Sequence, residues 1–132
     1  MKEGIIMNYG FVTIKVKNME ESLKFYIDFL GLKEATSFSP QPGVKIVFLT
    51  DEKGNKIELI ENSHMDVSED AGYKSLLSIG FPVESVNETL KLVNEKGFEV
   101  VSGPVQLPSG IKFLYIKDPN GVEIEFIENF NM

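Results

Sequence analysis

The sequence predicts an α+β fold made of two βαβββ modules in one chain. Two observations carry this prediction. The first is an internal repeat: residues 51–62 read DEKGNKIELIEN and residues 118–129 read DPNGVEIEFIEN, with seven of twelve positions identical at an offset of 67. The second is the order of local signals, which is the same in both halves: an alternating strand, a capped helix, then three strand-like runs separated by turn residues.

The offset extends beyond that phrase. Val16 matches Val83, Glu21 matches Glu88, Leu23 matches Leu90, Gly43 matches Gly110 and Lys45 matches Lys112. Two copies are too few for a solenoid, and the period is too long. Duplication about a pseudo-two-fold axis accounts for the pattern. The modules are assigned to residues 7–62 and 76–132, joined by a polar linker at 63–75.

The first strand of each module alternates. Val12, Ile14 and Val16 share one face of FVTIKVK, and Phe11, Thr13 and Lys15 share the other. In LSIGFPVES, Ile79, Phe81 and Val83 oppose Ser78, Gly80 and Pro82. Such alternation marks a half-buried strand. Pro82 has no N–H to give a ladder, which places it at an edge or an irregularity.

Helices follow at Asn18 and Ser85, each with a glutamate three residues on, Glu21 and Glu88. That spacing is the signature of a capping box. Met19, Leu23, Tyr26 and Leu30 then fall on one helical face, as do Val86, Leu90 and Val93. Gly31 and Gly97 end the helices, and here the offset slips to 66. The later strands are KEATSF, VKIVFLT and KIELIEN in the first module, and EVVSGP, IKFLYIK and EIEFIEN in the second. Each last hairpin turns on Asp-x-x-Gly, with Pro presetting the turn in DPNG.

Composition narrows function. The net charge is −7, which disfavours nucleic acid. All 13 basic residues are lysine, so bidentate guanidinium recognition of carboxylate or phosphate is absent. No apolar run approaches the roughly 18 residues of a membrane span, and the N-terminus has no signal-like segment. Met7 is an alternative start. There is no cysteine, hence no disulfide or thiolate chemistry, and the chain fits a cytoplasmic protein.

The segments FVTIKVKNMEESLKFYIDFLGLK, GVKIVFLTDEKGNKIELIE and GIKFLYIKDPNGVEIEFIE resemble the glyoxalase / bleomycin-resistance / extradiol-dioxygenase superfamily, the vicinal oxygen chelate proteins. The resemblance covers nearly the whole chain. It implies paired βαβββ modules whose mixed sheets curl into a cup with the helices outside, and a homodimer. It also implies four metal-ligand positions, one on the first and one on the last strand of each module. Carried over residue by residue, these fall on Phe11, Glu58, Ser78 and Glu125. The glutamates stand where the family places them. Both histidines are missing, since phenylalanine and serine occupy their positions. A divalent metal (Ni, Zn, Mn or Fe) is therefore expected only if two carboxylates and water suffice.

The candidate site is thus Glu58 and Glu125, read as an acid/base couple, as ligands of a weakly held metal, or as solvated relics. The resemblance brings the two carboxylates into one hollow. Phe11, Phe48 and Tyr115 are candidate aromatic walls, with core packing as the alternative for Phe48 and Tyr115. Ser78 is a polar contact. Lys15 is the nearest candidate counter-charge. Phe25 and Tyr26 are assigned to helix–sheet packing. His64, the single histidine, is a surface residue or, if its loop folds back, a surrogate ligand. The leading expectation is a metal-independent binder of a small organic molecule, neutral or cationic. The alternatives are a glyoxalase-type lyase or isomerase and a retired site serving as an interaction module.

Overall fold

A computed structural model describes residues 4–64 and 77–130. The chain divides into two compact units, Met1–Ser68 and Glu69–Met132. The proposed linker, apart from Ser63 and His64, lies outside the described residues.

The first unit contains β1 (Phe11–Lys15), α1 (Met19–Leu23), β2 (Lys33–Phe38), β3 (Val44–Thr50) and β4 (Lys56–Asn62). Its sheet runs β1-β4-β3-β2, with β1 parallel to β4 and the other neighbours antiparallel. The second unit contains β5 (Ser78–Val83), α2 (Val86–Glu95), β6 (Val100–Gln106), β7 (Lys112–Lys117) and β8 (Glu123–Glu128). Its sheet runs β5-β8-β7-β6 with the same directions. Each sheet is open and mixed, and each unit is the predicted βαβββ module. Pro82 sits on edge strand β5, where a missing N–H costs least.

The helix side of each sheet is apolar and buried. Ile14, Val47, Leu49 and Leu59 pack there with Met19, Phe25 and Tyr26 in the first module. Leu114, Ile116, Ile124 and Phe126 pack with Val86 and Val93 in the second. Burying each such side chain contributes roughly 1.5–3 kcal/mol before the entropy of ordering is subtracted.

Both predicted N-caps form. The Asn18 side chain accepts from Glu21 N at 2.9 Å, and Ser85 Oγ accepts from Glu88 N at 3.1 Å. A second carboxylate serves each helix start: Met19 N donates to Glu61 Oε2 and Val86 N donates to Glu128 Oε1, both at 2.8 Å. Orphan amides of a first helical turn favour an anion, so these bonds fasten each helix to the last strand of its own sheet.

The helices differ at their far ends. A regular α-helix was expected from Met19 to Leu30, but α1 gives way at Lys24 to a π-helical segment, Lys24–Phe29. Its exit bond is correspondingly long, from Leu32 N to Tyr26 O, where α2 closes with Phe98 N to Val93 O. The first helix holds one residue more between cap and stop glycine, and the wider turn absorbs it. This is the physical origin of the slip from 67 to 66. Gly31 and Gly97 adopt φ of 82° and 77°, the left-handed region favoured at a helix C-terminus.

The backbone bonds of the two hairpin turns repeat. Asp51 Oδ1 accepts from Lys53 N and Asn55 N, and Asp118 Oδ1 accepts from Asn120 N and Val122 N. The Asn55 side chain and these amides hold the Asp51 carboxyl below its ordinary value of 3.8. A depressed folded value means the stabilisation is complete above that ordinary value and is lost as pH falls through the lower, folded one. Comparing wild type with Asp51→Asn by denaturant titration, the stability gap should be open at neutral pH and close in strong acid. Glu128→Ala should lower stability by about 1–2 kcal/mol, the worth of a charge-assisted bond at a helix start, with an unchanged denaturant slope.

Candidate functional site

Strand parity decides where the two repeated glutamates of each last strand go. Residues paired in register share a face, and neighbours along a strand alternate. Glu61 and Glu128 point to the helix side, where they cap. Glu58 and Glu125 take the opposite face, the one the helices leave uncovered.

In the first module Glu58 pairs with Thr13 on β1 and with Phe48 on β3. Thr13 Oγ1 donates to Glu58 Oε1 at 2.6 Å. Phe11 and Phe48 meet edge to face across β4, with ring centroids 5.2 Å apart. Phe11 is half exposed. The result is a half-buried carboxylate next to an accessible ring, on one sheet face. Lys15 lies on this face, paired with Ile60, and forms no ion pair with Glu58 among the described residues. The partner is instead Thr13, whose membership of the Phe11 face was evident from alternation. What sequence could not supply was the parallel register that sets it beside Glu58.

In the second module Glu125 pairs with Gly80 on β5 and with Tyr115 on β7. Burial, hydrogen bonding toward Glu125 and the charges of Glu125 and Glu123 together push the Tyr115 phenol above its usual range. Phe113 and Tyr115 contact edge to face at 5.9 Å. Ser78 pairs with Glu123, one step along the face from Gly80 and Glu125, and is exposed. Phe48 and Tyr115 therefore both stand on the carboxylate face, half-buried beside their module's glutamate.

His64 is exposed, and its Nε2 lies 3.2 Å from Pro42 O. A shallow apolar groove of about 430 Å³ lies on the helix side, lined by Met19, Leu23 and Ile27 with Glu20, Lys24, Asp28 and Lys45. It involves none of the residues of the Glu58 face.

The family resemblance implies a His/Glu metal centre on these faces. The strand face of the first module carries Glu58 and that of the second Glu125 and Glu123, and neither carries an imidazole, phenylalanine and serine standing at positions 11 and 78. Among the described residues no group of three or more His, Cys, Asp or Glu side chains is placed to hold an ion. The residues present do not fit the His/Glu centre.

Comparison with known proteins agrees with the fold. Residues 8–126 match the model of the Glyoxalase/Bleomycin resistance protein/Dioxygenase superfamily, and the chain belongs to that superfamily. It is 34% identical over 122 residues to a lactoylglutathione lyase of Haemophilus influenzae, covering 88% of each chain. It is 27% identical to a probable lactoylglutathione lyase of Synechocystis, covering 87% of this chain and 90% of that one. The crystal structure of a glyoxalase family protein from Bacillus cereus superposes with a TM-score of 0.79 at 19% identity, over 99% of both chains. That last likeness concerns fold alone. No helix among the described residues is long and apolar enough to cross a membrane.

Because the Tyr115 phenol is held up, Tyr115→Phe should remove one late-ionising group from an ultraviolet titration of tyrosinate, and the early part of the wild-type curve should be unchanged. The corresponding stabilisation is complete below pH 10, the ordinary value, and is lost as pH climbs through the raised one.

Proposed function

We propose that this protein binds a small organic molecule through the carboxylate faces of its sheets, without the His/Glu metal centre of its superfamily. One observation supports this reading above others. At Glu58 the flanking residues are the ring pair Phe11–Phe48 and a neutral hydroxyl, rather than nitrogen ligands or a basic partner. A carboxylate that no cation neutralises, set against aromatic surface, favours a neutral or cationic molecule with an apolar body. The absence of arginine in all 132 residues argues in the same direction.

A second reading, a lyase or isomerase of glyoxalase type, is favoured by the 34% identity to a lactoylglutathione lyase. In this chain it would rest on Glu58 or Glu125 moving a proton next to a carbonyl.

Three probes with one aryl body and different charge separate these ideas: phenethylamine, phenylethanol and phenylacetate. Titration calorimetry should show the amine and the alcohol binding, and Glu58→Gln or Glu125→Gln weakening the amine more than the alcohol. Binding of phenylacetate alone would overturn the proposal. Stoichiometric Ni, Zn, Mn or Fe in protein purified without chelator, together with turnover of lactoylglutathione, would establish the second reading instead.

A further inference from the structure

The two carboxylates are dressed differently, and the difference is reciprocal. At the repeat offset, Thr13 becomes Gly80 and Phe48 becomes Tyr115. In the first module the hydroxyl comes from β1 and the plain ring from β3. In the second module the hydroxyl comes from β7, and the β5 position directly opposite Glu125 carries no side chain, with Ser78 and Pro82 to either side of it on the same face.

Gly80 has no local reason to be glycine. Its φ lies outside the left-handed region, and a glycine inside a strand weakens that strand. A Cβ built there would meet no atom within 4 Å, and the residue is exposed. In the first module the equivalent position holds a side chain that reaches its glutamate at 2.6 Å. In the second module the equivalent space is open. The Gly80 backbone, Glu125, Tyr115 and the Phe113 ring surround it on one sheet face.

We infer that Glu125 is the carboxylate that contacts the ligand, and that the slot over Gly80 admits the ligand's hydrogen-bond donor, a hydroxyl or a protonated amine. This rests on the small-molecule reading above and narrows it to one module. An ionised carboxylate only accepts, and its two oxygens offer about four lone-pair sites, so Tyr115 leaves capacity unused. The donor takes that capacity. The apolar body of the ligand then lies against Phe113 and Tyr115. Glu123 and Lys117, paired with each other across the same face, are the nearest charged neighbours along the strands. Glu58, already served by Thr13 at its own flank, is the more structural of the two acids.

The test uses the full chain, labelled for amide NMR, with phenethylamine and phenylethanol as probes. In wild type both should shift amides of β5, β7 and β8. Gly80→Thr places a hydroxyl at the position where Thr13 serves Glu58, and it should weaken both probes by roughly tenfold or more, without lowering the melting temperature. Gly80→Ala should act in the same direction with a smaller loss, and it carries the test should the threonine variant unfold. Wild-type affinity in both variants, or shifts concentrated on β1, β3 and β4, would overturn this inference and leave the small-molecule reading standing. Failure of either probe to shift either face would overturn both.

Discussion

The bond from the first amide of each helix to a glutamate on the last strand, Met19 N to Glu61 and Val86 N to Glu128, is the constraint on which each module depends. It fixes the helix start against the strand that also pairs in parallel with β1 or β5. Its consequence reaches the other side of the sheet. With Glu61 committed to the helix face, an odd number of residues back along the strand must bring Glu58 to the opposite face. The phrase I-E-x-I-E thus encodes two acids on opposite faces, one closing the fold and one turned away from the helix.

Superfamily membership rests on the scaffold of this chain. The repeat, the caps and the Asp-anchored turns build the scaffold of this chain, and the relatives match it along nearly their whole lengths. The residues on the carboxylate faces are less constrained by it. Phenylalanine and serine at positions 11 and 78 are both compatible with a strand, so the sheets assemble with no imidazole at those places. A fold can keep its architecture and take on a different ligand chemistry through a few exposed positions.

Much of this was legible beforehand. Alternation assigned the faces of β1 and β5 because a strand has a period of two. Asn18 and Ser85 announced the helix starts, and Gly31 and Gly97 the stops. What stayed hidden depended on long-range register or on small backbone adjustments. Lys15 looked like the partner of Glu58 because it carries the right charge. Thr13 took the role because parallel pairing sets it directly opposite. The capping duty of Glu61 and Glu128 required knowing where the helix begins in space. Likewise Met19, Leu23, Tyr26 and Leu30 fit a regular helix so well that the π-helical segment left no mark other than a lost residue of offset.

That segment shows where the duplicated architecture tolerates growth. A residue inserted into any of the inner strands would reverse every side chain beyond it, exchanging capping acid for surface acid and burying charge. The same residue placed between Lys24 and Phe29 is taken up by one loosened coil, and the sheet never registers it. The count of 67 returns within edge strand β6, whose register against β7 shifts between Ser102 and Val105, so length differences between the halves sit in a helix and at a sheet edge while the inner strands keep their number.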